Sequence, residues 1–174
     1  MVAISPSLTR SIQSPRGMTE GAPIRRTRAP SHGTDEEKWI VTELPSMPDA
    51  VAKVSDLLRL RGYTLMEDRY EEQTFGNVIR IFEIDTTRVQ IFRDRGKWGV
   101  GAAPSGTDRW FWASNWEDYF AGGFRHVRDL SADETCDFFV RNLEHIESAN
   151  AEDPRILQTL SQIQRKSAQA RGLL

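Results

Sequence analysis

Residues 78–103 read VIRIFEIDTTRVQIFRDRGKWGVGAA, and this run decides the fold. Val, Ile, Phe and Trp fill three short segments separated by Asp85-Thr86-Thr87 and by Asp94-Arg95-Gly96-Lys97. Segments rich in β-branched and aromatic residues, punctuated by turn formers, are strands. Gly96 supplies the positive φ that a two-residue hairpin loop demands. Strands joined by loops this short pair only antiparallel, because a parallel neighbour needs a crossover of about a dozen residues. The run is a β-meander.

Working outward, residues 63–73 (YTLMEDRYEEQ) keep the period of two and read as a further strand with an acidic end, turned into the meander by Phe75-Gly76-Asn77. Residues 109–113 (RWFWA) are a fifth strand, reached through the loop 104–108. Before the sheet, Val51, Val54, Leu57 and Leu58 recur at helical spacing behind Ser46, Pro48 and Asp49, and Gly62 stops the helix. After it, Ser114-Asn115-Trp116-Glu117 and Ser131-Ala132-Asp133-Glu134 both satisfy the Ser-x-x-Glu capping rule, in which each side chain caps the other's backbone amide. The first starts a short helix ending at Gly122-Gly123. The second starts a longer one with Cys136, Phe139, Val140, Leu143 and Ile146 on one face. Asp153-Pro154 opens a last helix carrying Ile156, Leu157, Leu160 and Ile163. Trp39-Ile40-Val41 reads as a short edge strand or a strap across the core.

The expected fold class is therefore α+β: an antiparallel four- to five-stranded meander sheet with helices packed on one face. One domain spans residues 35–174. Residues 1–34 hold Pro6, Pro15, Pro23 and Pro30 and no sustained apolar period, so they are expected to be a disordered tail. The tail carries five arginines against Glu20 alone, which leaves the rest of a chain of net charge −2 mildly acidic. Its composition also matches an organellar transit peptide, and Met18 offers a second translation start. No apolar run approaches the ~18 residues of a membrane span. A single cysteine, Cys136, excludes an intramolecular disulfide.

Chemistry-bearing motifs are scarce. His32, His126 and His145 have no second ligand at metal-binding spacing, and Cys136 sits on an apolar helix face, so no catalytic residue, metal or cofactor is assigned. Gly99, Gly101 and Gly106 lie within a meander strand and its loop rather than between a strand and a helix. They mark a bulge or the close approach of another backbone or a large ring instead of a phosphate loop. Glu67, Asp68, Glu71 and Glu72 cluster at one strand end, either as a solvated rim or as a docking surface for a basic partner. Arg80, Arg88, Arg93, Arg95 and Lys97 surround Phe82, Phe92 and Trp98, a mixture that could track nucleic acid, although Glu83, Asp85 and Asp94 would consume much of that charge. Trp110, Phe111, Trp112, Trp116, Tyr119 and Phe120 crowd into eleven residues, so one face of rings must find cover, in the core or in a partner.

At residues 88–100 (RVQIFRDRGKWGV) the chain resembles small α/β immunity proteins of bacterial polymorphic toxin systems, several of which carry a strand, an Arg-Asp-Arg-Gly turn and a Trp-containing strand. The resemblance implies a non-enzymatic cytoplasmic protein that binds and blocks a cognate toxin, and an acidic body would fit a basic toxin. The Arg-rich tail departs from that pattern. The expected function is a protein-binding module with Glu67, Asp68, Glu71 and Glu72 pairing with a partner's Lys or Arg, and with Trp110, Trp112 and Trp116 as apolar anchors. A nucleic-acid binder using the hairpin arginines and the tail, and an enzyme of unrecognised type, are the alternatives.

Overall fold

The computed structural model describes residues 25–27, 40–42, 46–73, 76–125 and 128–174, the first two stretches by backbone alone. Two compact units divide the chain, Met1–Leu44 and Pro45–Leu174. In the first, β1 (Arg25–Thr27) pairs antiparallel with β2 (Ile40–Thr42). The expected strand at Ile40 thus forms, with a partner inside the stretch expected to be tail. A ladder of three residue pairs rests on backbone hydrogen bonds and needs no hydropathy period, so periodicity passes over β1. The remaining tail, Met18, His32, Trp39, Phe75 and His126 lie outside the described residues.

The second unit opens with α1 (Asp49–Leu60), whose Val51, Val54 and Leu58 turn inward. Gly62 at φ 84° and the Tyr63 amide donating to the Leu58 carbonyl at 3.0 Å close it. Then come β3 (Thr64–Glu71), β4 (Asn77–Ile84), β5 (Thr87–Asp94), β6 (Lys97–Pro104) and β7 (Phe111–Trp112), hydrogen-bonded in that order and antiparallel throughout. The β5–β6 loop has Arg95 at φ 46° and Gly96 at φ 82°, the two positive values of a type I′ turn.

The RWFWA strand is shorter than expected because the chain enters α2 (Ala113–Phe120) with no intervening loop. The Ser114–Glu117 capping box does not form. Asn115 Oδ1 instead accepts from the Trp112 amide at 3.0 Å and seals the strand-to-helix junction. The second box does form: Ser131 Oγ accepts from the Glu134 amide at 3.2 Å, and Glu134 accepts from the Ser131 amide at 2.9 Å, starting α3 (Ala132–Glu152). The last helix is α4 (Ile156–Ala170), ahead of which Asp153 Oδ1 accepts from the Arg155 amide at 2.8 Å.

Register aligns Phe82, Val89, Ala102 and Phe111 in one row and Ile91 and Val100 in the next, and none is more than 1 % exposed. Val54 and Leu58 of α1 and Phe139, Leu143 and Ile146 of α3 join them in one cluster, so these helices cover one face. Val140, expected inside, is 41 % exposed, while Phe138 is buried edge-on against Phe139. The reason is that α3 touches α1 as well as β6, which carries its buried arc round to Phe138. Each buried side chain of this size contributes about 1.5–3 kcal/mol. Polar braces fix α3 in place. Glu147 accepts from the Tyr63 hydroxyl at 2.8 Å and pairs with Arg61, and Asn150 donates to buried Thr87 at 2.9 Å.

Candidate binding surface

Alternation sends Ile79, Ile81 and Glu83 of β4, Arg88, Gln90 and Phe92 of β5, Gly99, Gly101 and Ala103 of β6, and Trp112 of β7 to the other face of the sheet. The core helices α1 and α3 pack on the first face, while Ala132 and Thr135 at the start of α3 line a pocket with Phe92 and Trp112 at the rim of this one. Phe92 and Trp112 form a tilted pair with ring centroids 5.2 Å apart. Each ring lies on a glycine. A Cβ at Gly99 would stand 2.3 Å from Phe92 Cζ, and one at Gly101 would stand 2.8 Å from Trp112 Cζ3. The glycines are thus seats for large rings, as read from their place inside a strand. Trp110 continues the row, with the Arg88 guanidinium 5.4 Å above its ring centre. Arg88 is held by the Thr107 carbonyl at 3.0 Å, Asp108 at 3.2 Å and Glu83 at 3.7 Å.

The sequence-chosen residues separate into groups. Trp112 is 41 % exposed beside Phe92, and Trp110 is half-buried under Arg88. Trp116 has no exposure at all; it is a core residue stacked with Tyr119 and Phe120 and cannot anchor a partner. Glu67 and Glu71 flank Arg69 at 3.2 and 3.4 Å on the side of β3 away from the core helices. Asp68 points the other way and pairs with Arg80 at 3.3 Å, and Glu72 follows the strand end. A register slip between Leu65 and Glu67 leaves Met66 60 % exposed and sets these directions. The acids and the tryptophans occupy opposite edges of one sheet, about 19 Å apart at ~4.8 Å per strand, with Ile79, Ile81 and Phe92 between them. Phe92 was not singled out as an anchor. Its signal was present in the sequence, as a ring directly across the hairpin from Gly99.

Elsewhere the reactive side chains are quiet. Cys136 is buried, and that burial, reinforced by the charges of Asp133 and Asp137, pushes its thiol up to about 11, so the thiolate is scarce at neutral pH. His145 lies exposed on α3 with its ring edge-on to Phe120 at 6.1 Å. Among the described residues, no group of three His, Cys, Asp or Glu could hold a metal ion, and no helix is long and apolar enough to cross a membrane. No protein-family model matches the chain, and no curated protein or solved structure is similar to it.

Proposed function

We propose that the chain is a non-enzymatic protein-binding module whose partner docks on the sheet face opposite the core helices. The observation that supports this is the Phe92–Trp112 platform, two rings seated on glycine backbone with Trp112 41 % exposed on that face. Rings fixed this way lose little entropy on binding, and tryptophan is the residue most enriched at interface hot spots. A large exposed ring of this kind on a soluble protein marks an interaction site. The platform is flanked at the far edge by Glu67 and Glu71, which share Arg69, and by Glu72 past the strand end, so a partner with an apolar anchor and a basic rim fits best.

The specific form we favour is an immunity-type inhibitor of a basic toxin acting in the bacterial cytoplasm. The segment that resembles those proteins, residues 88–100, is the β5–β6 hairpin that supplies both Phe92 and Gly99. The test is capture of the partner from the native host, followed by titration of the purified partner with the chain. Trp112→Ala is expected to weaken binding about thirtyfold or more, the size of a hot-spot ring at ≥2 kcal/mol. Glu71→Lys with Glu72→Lys is expected to weaken it less and to flatten its salt dependence. Unchanged affinity in both variants overturns the reading.

A further inference from the structure

Residues 154–174 contain Arg155, Arg165, Lys166 and Arg171 and neither Asp nor Glu. From Arg155, which caps α4, Gln158, Gln162, Arg165 and Gln169 follow at three- and four-residue spacing, and all are exposed. They make one straight stripe about 21 Å long at 1.5 Å per residue. Alongside it runs a groove of about 530 Å³ lined by Arg109, Gln158, Ser161, Gln162 and Arg165 with Leu157 and Pro154, and none of its lining residues is a carboxylate.

Arginines of the unit divide into those paired with acids and those, such as Arg125 and Arg141, that donate to backbone carbonyls. Arg61, Arg69, Arg80, Arg88, Arg128 and Arg171 each meet an acid. Arg109 is instead aimed by a neutral contact: its Nη1 donates to Ser161 Oγ at 2.8 Å, and that hydroxyl donates to the Leu157 carbonyl at 2.6 Å. The nearby carboxylates are committed, Asp108 to Arg88 at 3.2 Å and Asp153 to the Tyr119 hydroxyl and the Arg155 amide, both at 2.8 Å. The lining of the groove thus holds two arginines and no carboxylate, a locally positive strip on a mildly acidic protein, with Asp108 and Asp153 beside it but turned to other partners. Guanidinium, primary amide and hydroxyl donors in a row are the groups that contact phosphate oxygens. No aromatic ring lines the groove, so it offers no stacking on bases.

We propose that α4 and Arg109 form a track for the phosphodiester backbone of a nucleic acid, bound without regard to sequence. The track uses none of the docking residues named above, although Arg109 stands between Asp108, the partner of Arg88, and Trp110. Of the sheet arginines, Arg80 and Arg88 pair with acids and Arg93 donates to the Gly76 carbonyl at 2.8 Å.

The experiment is fluorescence anisotropy of the full chain with a labelled 20-nucleotide single-stranded RNA and a DNA duplex of equal length, across a salt series. With three cations engaged, the log–log salt slope is expected at about −2 to −3. Arg109→Glu/Arg165→Glu/Lys166→Glu, its fold checked by circular dichroism, is expected to lose about tenfold or more in affinity and most of the slope. Gln158→Glu with Gln162→Glu, two exposed positions, gives a milder loss of several-fold and serves if the triple variant fails to fold. Replacing Arg10, Arg16, Arg25, Arg26 and Arg28 by Gln is expected to leave most of the binding. The proposal is overturned if the α4 variants bind like the wild type, if binding disappears with the tail substitutions, or if polyglutamate displaces the RNA as well as polyphosphate of equal charge, which would point to an acidic protein.

Discussion

The two faces of the sheet are cut from the same strands and solve opposite problems. On the covered face, aliphatic and aromatic side chains stand up from β4 to β7 and interlock with α1 and α3 until Phe82, Val89, Ile91 and Phe111 have no exposure. On the other face, Phe92 and Trp112 lie down, each on a backbone that has given up its Cβ. Standing rings require a second layer, whereas reclining rings leave a flat apolar surface that survives without one. The difference teaches that stability and recognition draw on separate residues here, although the two sets alternate along every strand.

Truncation should expose that separation most strongly. Phe82→Ala empties a fully buried site and is expected to cost about 3–5 kcal/mol, read from urea unfolding. Phe92→Ala, on the same sheet, is expected to cost about 1–2 kcal/mol, because that ring is only partly buried. Equal losses would erase the distinction between the faces. A second variant sharpens it from the backbone side. Gly99→Ala places a methyl group 2.3 Å from Phe92 Cζ, so the ring must swing off its seat. The expected outcome is a loss of about 1–2 kcal/mol together with a changed near-ultraviolet signal from Trp112 and loss of partner binding. Trp112→Ala by itself should lower stability by about 1 kcal/mol or less while removing the binding.

The covered face was legible in the sequence because every local cue agreed. Alternation from Val78 to Ala103, the loop glycine at 96 and the Ser131–Glu134 capping box each named the element that forms. The opposite face was legible only in part. Trp110 and Trp112 were correctly put on one side of RWFWA, but Trp116 was grouped with them. Its burial depends on where α2 begins, and Asn115 rather than Ser114 makes that junction. The directions of Glu67 and Asp68 turn on the slip around Met66, where an extra residue inverts the alternation, and no residue there marks a bulge. The basic stripe of α4 was visible as an acid-free helix. What only the packing shows is that Arg109 comes from outside the helix to bond Ser161 and join Arg165 along a groove with no carboxylate in its lining.

The smallest effect concerns the helices alone and should leave the recognition face untouched. Tyr119 donates its hydroxyl to Asp153 at 2.8 Å, linking α2 to the start of α4. Burial first, then that hydrogen bond and the carboxylate's charge, push its hydroxyl up to about 12. The folded value lies above the ordinary tyrosine value of about 10, so folding favours the neutral form. Its contribution is complete below about pH 10 and is lost as pH rises through about 12. Tyr119→Phe should therefore unfold about 1 kcal/mol more easily at neutral pH, the net worth of one hydrogen bond. Its stability should also fall less steeply than the wild type's between about pH 10 and 12. Trp112→Ala should run parallel to the wild type over the same range, since its ring touches neither group. Urea midpoints collected from pH 8 to 12 on the three proteins check this, and three parallel curves would show that the Tyr119 hydroxyl does not couple the helices.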